Sequence, residues 1–359
     1  MKSIFLVVAL LLVSAVSDSI IPEKSLKITS YNKKKQHQKA PKKVYVRSFK
    51  ALFEVYEEAE ARTSASKNDR ANRTTFISGT TTRLGVQIQG VDVDDFQQII
   101  NEAYQDYIDQ LKNKGFEILT AKDVEQIEIY EGWTKMEGGA SNNDQANGFV
   151  MVTPEGFDYM VKGVSKSGRE KGTFQDQGPK ISKQLNDIYL ADVNFIFPFV
   201  TLDPNSSRWK NTSSVKAKID YRIEAFMNTG KTNQQTSLTS FAKGLGSTGA
   251  SSMIESQVRF LSGKDIGNNP FFDAKVTLKK PVSFEGVFAD KKIVETTKAE
   301  ADLFQKTAYS TLVMVSDDQK NIASHYAKCD RDKYIAAASK SIEEMMNAGL
   351  ANFMEMTEK

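Results

Sequence analysis

The chain has 359 residues, 40% of them hydrophobic and 26% charged, with a formal net charge of +3. That composition excludes a disordered or collagen-like chain and leaves room for one large domain or two ordinary ones. The single cysteine, Cys329, excludes an internal disulfide framework, and with only His37 and His325 beside it no zinc-binding pattern is available.

The opening Met1-Lys2-Ser3 is a basic lead to the apolar run Ile4–Val13. Ala15-Val16-Ser17 then puts small residues where a signal peptidase reads. Residues 1–17 are expected to be a cleavable secretory signal, cut before Asp18. The mature chain is expected to be exported: periplasmic, secreted or associated with the outer membrane. The apolar run falls short of the roughly 20 residues of a membrane span. No later segment reaches that length, so no transmembrane helix is expected after processing. Residues 18–42 are lysine-rich, with eight lysines between Pro22 and Lys43 against Glu23. This predicts a disordered basic linker, with peripheral contact to an outer membrane or cell wall as another use of the charge. Export argues against nucleic acid as a partner.

Residues 43–295 are expected to form an α/β domain with polar loop insertions. Val44–Phe49 alternates and reads as a strand, and apolar character continues through Leu52, Phe53, Val55 and Tyr56. The acidic group Glu54, Glu57, Glu58 and Glu60 reads as a solvated edge. Phe76–Gln89 is a second strand, ended by Gly90. Asp92 is a good N-cap for a helix carrying Phe96, Ile99, Ile100, Ala103, Tyr107, Ile108 and Leu111 at helical spacing, with Gly115 as its stop. Phe116–Leu119 is a short strand, and Thr120 opens a second helix to about Tyr130. Short strands follow at Phe149–Val152 and within Phe157–Val164, then a helix over Ile181–Leu190. Val193–Leu202 is a buried strand candidate that contains Pro198. Val215–Met227 alternates throughout and predicts one long half-exposed strand. Gln257–Leu261 and Phe272–Leu278 are further strands. Residues 296–359 form a helical segment, in which Lys298–Met314 has helical spacing and Asp330 caps a final helix from Arg331 to about Met356. The fold class is mixed α/β, a mixed sheet flanked by helices.

Motifs for chemistry are absent. Neither histidine is placed for a Ser-His-Asp triad, although Ser324 adjoins His325. Gly244-Leu245-Gly246-Ser247-Thr248-Gly249 matches a dinucleotide fingerprint, but it lies in a Ser/Thr/Gly-rich stretch with no strand before it. Asp92 and Asp94 lack the remaining ligands of a calcium loop. No catalytic residue, metal ligand or cofactor is assigned, and the chain reads as non-enzymatic. Two other features remain. Met345, Met346, Leu350 and Phe353 form a stripe on the final helix, readable as core packing or as a contact surface for a protein partner or a second copy. Trp133 and Trp209 sit in or beside polar loops, as ligand-stacking platforms or loop anchors.

The stretch Lys42–Trp133 resembles the CsgG-like family of envelope proteins, the curli secretion channel and its relatives. The likeness lies in the first strand, the helix Asp92–Lys114, the strand ending Gly115-Phe116-Glu117-Ile118-Leu119 and the helix opening Thr120-Ala121-Lys122-Asp123. The same order is similar to that of TolB N-terminal domains. The resemblance implies a non-enzymatic envelope component that assembles with copies of itself or with an outer-membrane machine. The lipidation cysteine of channel-forming members is missing here, which argues against pore formation. A binding module for extracellular glycan, and a secreted carboxylate-dependent hydrolase, are the alternative readings.

Overall fold

The computed structural model describes residues 19–33, 40–63, 66–68, 75–77, 79–142, 145–166, 168–173, 175–207, 212–228, 253–295 and 324–358. The signal segment, His37, Trp209, the Gly244–Gly249 stretch and Lys298–Met314 lie outside the described residues.

In chain order the principal elements are β1 (Leu26–Asn32), β2 (Lys43–Glu54), β3 (Tyr56–Arg62), β4 (Thr81–Gln89), α1 (Val93–Asn113), β5 (Glu117–Leu119), β6 (Phe149–Val152), α2 (Gly178–Gln184), β7 (Tyr189–Phe197), β8 (Val200–Ser207), β9 (Thr212–Ile219), β10 (Gln257–Ser262), β11 (Phe272–Leu278), β12 (His325–Lys328) and α3 (Arg331–Glu358). The central sheet has the order β1-β11-β10-β7-β2-β5, and β6 pairs antiparallel with the end of β2. β7 and β5 run parallel to β2, while β1, β11, β10 and β7 pair antiparallel. The fold is thus mixed α/β and strand-rich.

The first correction concerns the expected basic linker over residues 18–42. Leu26–Asn32 instead form β1, the edge strand of the sheet, in register with β11 from Leu26 opposite Leu278 to Asn32 opposite Phe272. Ile21 ahead of it is buried, and the backbone amides of Ile20 and Ile21 donate to the Glu344 carboxylate at 2.9 and 2.7 Å. An edge strand tolerates lysines because their stems lie along the sheet while the ammonium groups reach water.

α1 and α3 lie together on one face of the sheet. That face carries Val44, Val46, Phe49, Ala51 and Phe53 of β2 and Tyr189, Ala191, Val193, Phe195 and Phe197 of β7, all in one buried cluster. The expected cap is in place: Asp92 and Asp95 form a capping box, and Arg331 at the start of α3 pairs with Asp95, tying the two helix starts together. The final helix makes the second correction. Met345, Met346, Leu350 and Phe353 are 0%, 1%, 6% and 0% exposed, so the stripe is intramolecular core and not a contact surface. It faces β10 and β11, where Phe353 stacks on Phe260 with centroids 4.0 Å apart. At Gly349 a Cβ would lie 2.4 Å from Val258 Cγ1, so the helix crosses the sheet where only glycine fits.

Four expected elements end or divide earlier than their apolar patterns suggest. Val193–Leu202 splits at Pro198, which has no N–H for the ladder, into β7 and β8. Val215–Met227 is not one strand: β9 ends at Ile219, Arg222–Ile223 pairs with Val282–Ser283, and Phe226–Asn228 pairs with Met253–Glu255. Alternation survives these exchanges because each segment still has one buried face. The helix opened by Thr120 runs only over Ala121–Val124, followed by a 3-10 turn at Glu128–Tyr130. α2 stops at Gln184, and Asn186 and Asp187, both at φ 61°, turn the chain into β7.

β3 and β4 pair antiparallel, β12 runs parallel to β4, and Val294–Glu295 completes this smaller sheet. The β8/β9 hairpin packs against it. Cys329 follows β12, with its thiol donating to the Gln89 carbonyl at 3.1 Å; burial pushes that thiol up to about 12, which makes it inert. His325 Nδ1 lies 3.0 Å from Ser324 Oγ. Among the described residues, no helix is long and apolar enough to cross a membrane.

Candidate functional site: a polar cleft on the open face of the central sheet

The face of the sheet opposite α1 and α3 is apolar only at its ends. At one end Tyr45, Leu190, Leu261 and Ile181 cluster with Tyr130; at the other Leu52, Ile196, Met151 and Phe149 pack together. Between them the side chains are polar. The cause is a bulge in β2. Val46 pairs with Ala191 and Ser48 with Asp192, so Arg47 is an extra residue in the register. Ahead of the bulge the helix-facing residues of β2 are Val44 and Val46; beyond it they are Phe49, Ala51 and Phe53. The change of parity sends both Arg47 and Ser48 to the open face, beside Asp192 and Asn194 of β7.

These residues floor a cleft of about 590 Å³, within the usual size range of small-molecule sites. Its floor is Arg47, Ser48, Lys50, Asp192, Asn194 and Gln257, and its walls include Trp133, Lys162, Glu170, Lys171 and Asp176. The interior charges are matched. Arg47 donates from Nε to Asp192 at 2.8 Å, pairs with the same carboxylate again through Nη2, and reaches Asp176 at 3.2 Å. Arg259 holds Asp273 with two bonds of 2.9 and 2.6 Å and Asp176 with a third of 2.8 Å. Asp176 therefore bridges two arginines from different strands and pins the segment before α2 to the sheet. Burial works to raise the Asp176 pKa, but Arg47 and Arg259 outweigh it and hold the carboxyl well below its ordinary range. It remains an acceptor and is not a proton donor near neutrality. Lys50 pairs with Glu170 at 3.2 Å, and Tyr159 donates to the same carboxylate at 2.7 Å.

Other groups in the cleft are unspent. Ser48 donates to Asn194 Oδ1 at 2.8 Å, and the Asn194 amide nitrogen has no partner among the described residues. The same holds for the Gln257 amide and the Trp133 indole N–H. Trp133, singled out from the sequence, packs edge-on against Tyr130 at 5.1 Å and lines the cleft. Its ring is not bare: Lys162 Nζ sits over it, 5.7 Å from the centroid. No motif in the sequence marks Arg47, Asp176, Asp192 or Arg259. Two signals were present in it, the parity switch between Val46 and Phe49 and the polar Asp192 and Asn194 inside an otherwise apolar strand.

The acidic group of β2 and β3 is elsewhere, and it corrects the expectation of a solvated edge. Glu54 is 4% exposed, and its Oε2 accepts the backbone N–H groups of Phe199 at 2.8 Å and Val200 at 3.2 Å. Burial raises it to about 7, against the pull of Arg222. Burial and the neighbouring Glu54 push Glu57 up to about 9, and its Oε2 has no hydrogen-bond partner. Glu58 pairs with Arg83 and accepts from Tyr56, and only Glu60 is exposed. Buried Glu54 and half-buried Glu57 lie where the β8/β9 hairpin meets β3 and are not part of the cleft.

No three or more acidic, histidine or cysteine side chains among the described residues are grouped to hold a metal ion. Comparison with family models, with curated proteins and with solved structures finds no match to this chain.

Proposed function

We propose that the protein is an exported binding module whose polar cleft takes an extracellular saccharide. The observation that carries this reading is the mixture of groups in the cleft. Carboxylates and guanidinium groups are locked to each other, so they form a rigid polar floor. Neutral groups with free hydrogen-bonding capacity are Asn194, Gln257 and the indole N–H of Trp133. Neutral amides beside an aromatic wall suit vicinal hydroxyl groups, which donate and accept at once. Trp133 reports occupancy directly. In a Trp209→Phe background, saccharide titration is expected to shift the remaining indole emission with saturable dependence. Trp133→Ala is expected to weaken binding at least about tenfold. Titration of a broad saccharide panel without any saturable change would sink the reading.

A second reading, self-assembly in the manner of the CsgG-like family, has one observation in its favour. β1 is an edge strand that exposes Ile28 at 57% and Tyr31 at 46%. A ring or fibre in sedimentation that Ile28→Lys disperses would support it, and a monomer at all concentrations would remove it.

A further inference from the structure

We infer that the saccharide is an acidic one, whose carboxylate is held by Lys162 and Lys171 at the cleft wall. This inference rests on the saccharide reading above and adds the class of sugar. Five cations in and beneath the cleft divide into two kinds. Arg47 is neutralised by Asp192 and Asp176, Arg259 beneath it by Asp273 and Asp176, and Lys50 by Glu170. Lys162 and Lys171 have no carboxylate partner among the described residues. Lys162 spends its charge on the Trp133 ring, which is a weak contact at an exposed site. A carboxylate offers the same ammonium a charge-assisted hydrogen bond, roughly twice as strong as a neutral one.

The two lysines are brought together by the chain. The Lys171 amide donates to the Gly163 carbonyl at 2.8 Å, and Val164 bridges Glu170. The Lys171 stem runs past Gly163. Both lysines are exposed and both line the cleft with Trp133. An unmatched positive pair thus stands at the wall of a floor whose charges are already matched. A carboxylate entering there meets two ammonium groups that have no carboxylate partner among the described residues. The sugar hydroxyls beyond it meet the amides of Asn194 and Gln257. A neutral sugar would use the amides but leave the lysines in water, and it would gain nothing from their placement.

The test uses matched pairs of oligosaccharides that differ in charge: oligogalacturonates and their methyl esters, and glucuronoxylo-oligosaccharides and unsubstituted xylo-oligosaccharides. Calorimetric titration of the mature chain is expected to give at least tenfold tighter binding of an acidic member than of its neutral counterpart. That preference is expected to fall below threefold in the K162Q/K171Q double variant, with the melting temperature unchanged. Because both lysines are exposed, the variant is expected to fold, and circular dichroism checks this. Equal binding of acidic and neutral members would overturn the inference and leave the saccharide reading standing. An acidic preference that survives in the double variant would overturn the lysine assignment. Binding of no member would remove both.

Discussion

The two faces of the central sheet solve different problems with the same strands. Under α1 and α3 the strands present aromatic and branched residues that stack without a polar interruption, as in the Phe53–Phe96 pair at 4.4 Å and the Phe260–Phe353 pair at 4.0 Å. On the open face β2, β7, β10 and β11 carry Arg47, Asp192, Arg259 and Asp273, joined across strands by ion pairs. One face gains stability from area removed from water. The other gains fixed geometry from charges that hold each other, and a ligand-sized space remains above it. The difference teaches that the bulge at Arg47 separates packing from recognition within a single strand, because it changes which residues of β2 face which way.

The largest effect is expected on the dry face. Phe353→Ala removes a ring stacked on Phe260 and edge-on to Tyr189, and urea unfolding should show a loss of about 3–5 kcal/mol. Gly349→Ala should cost about 1–3 kcal/mol by pushing α3 off Val258; no loss would mean that the helix does not lie as close as described.

The carboxylates of buried Glu54 and half-buried Glu57 set the pH behaviour. The pKa values of Glu54 and Glu57 are raised in the folded state, so the folded chain binds protons that the unfolded chain releases above about 4.5. Stability should therefore fall as pH rises from about 5 to about 9. Glu57→Gln should flatten that fall and be more stable than the parent at pH 9 by at least about 1 kcal/mol, the equivalent of one pKa unit. A parallel pH profile in the two proteins would refute the assignment.

On the polar face the effects on stability should be smaller and local. Asp176→Asn removes the charge and one of the two acceptor oxygens that bridge Arg47 and Arg259, but Asp192 and Asp273 still hold these arginines. Global stability should fall by about 1 kcal/mol, while hydrogen exchange around residues 175–178 should rise by more than tenfold. The sign with pH is opposite to that of Glu57. The depressed pKa of Asp176 contributes stability that is present above the ordinary carboxylate range and lost as pH falls through and below it. A global loss as large as that of Phe353→Ala would erase the distinction between the two faces.

Much of the architecture was legible in local chemistry. Asp92 and Gly115 bound α1 as expected, with Gly115 at φ 81°, and the apolar spacing of α3 runs through the whole helix. These signals act within a few residues, so the chain carries them openly. The site was less legible. Trp133 stood out by type, but Arg47, Asp176, Asp192 and Arg259 come from three strands and a loop, and no spacing relates them. Trp133 also gave no sign that Lys162 would cover its ring.

The sequence by itself determined which segments have one apolar face, where the long helices begin and end, and that a lone cysteine leaves the fold to be held by packing. Only the tertiary structure decided what those faces meet. It turned the methionine stripe of α3 inward, made an edge strand of residues 26–32, buried Glu54 and half-buried Glu57. The reason is physical: periodicity records that a face is buried, whereas the partner that buries it, and the charge left unmatched beside it, depend on chain segments hundreds of residues away.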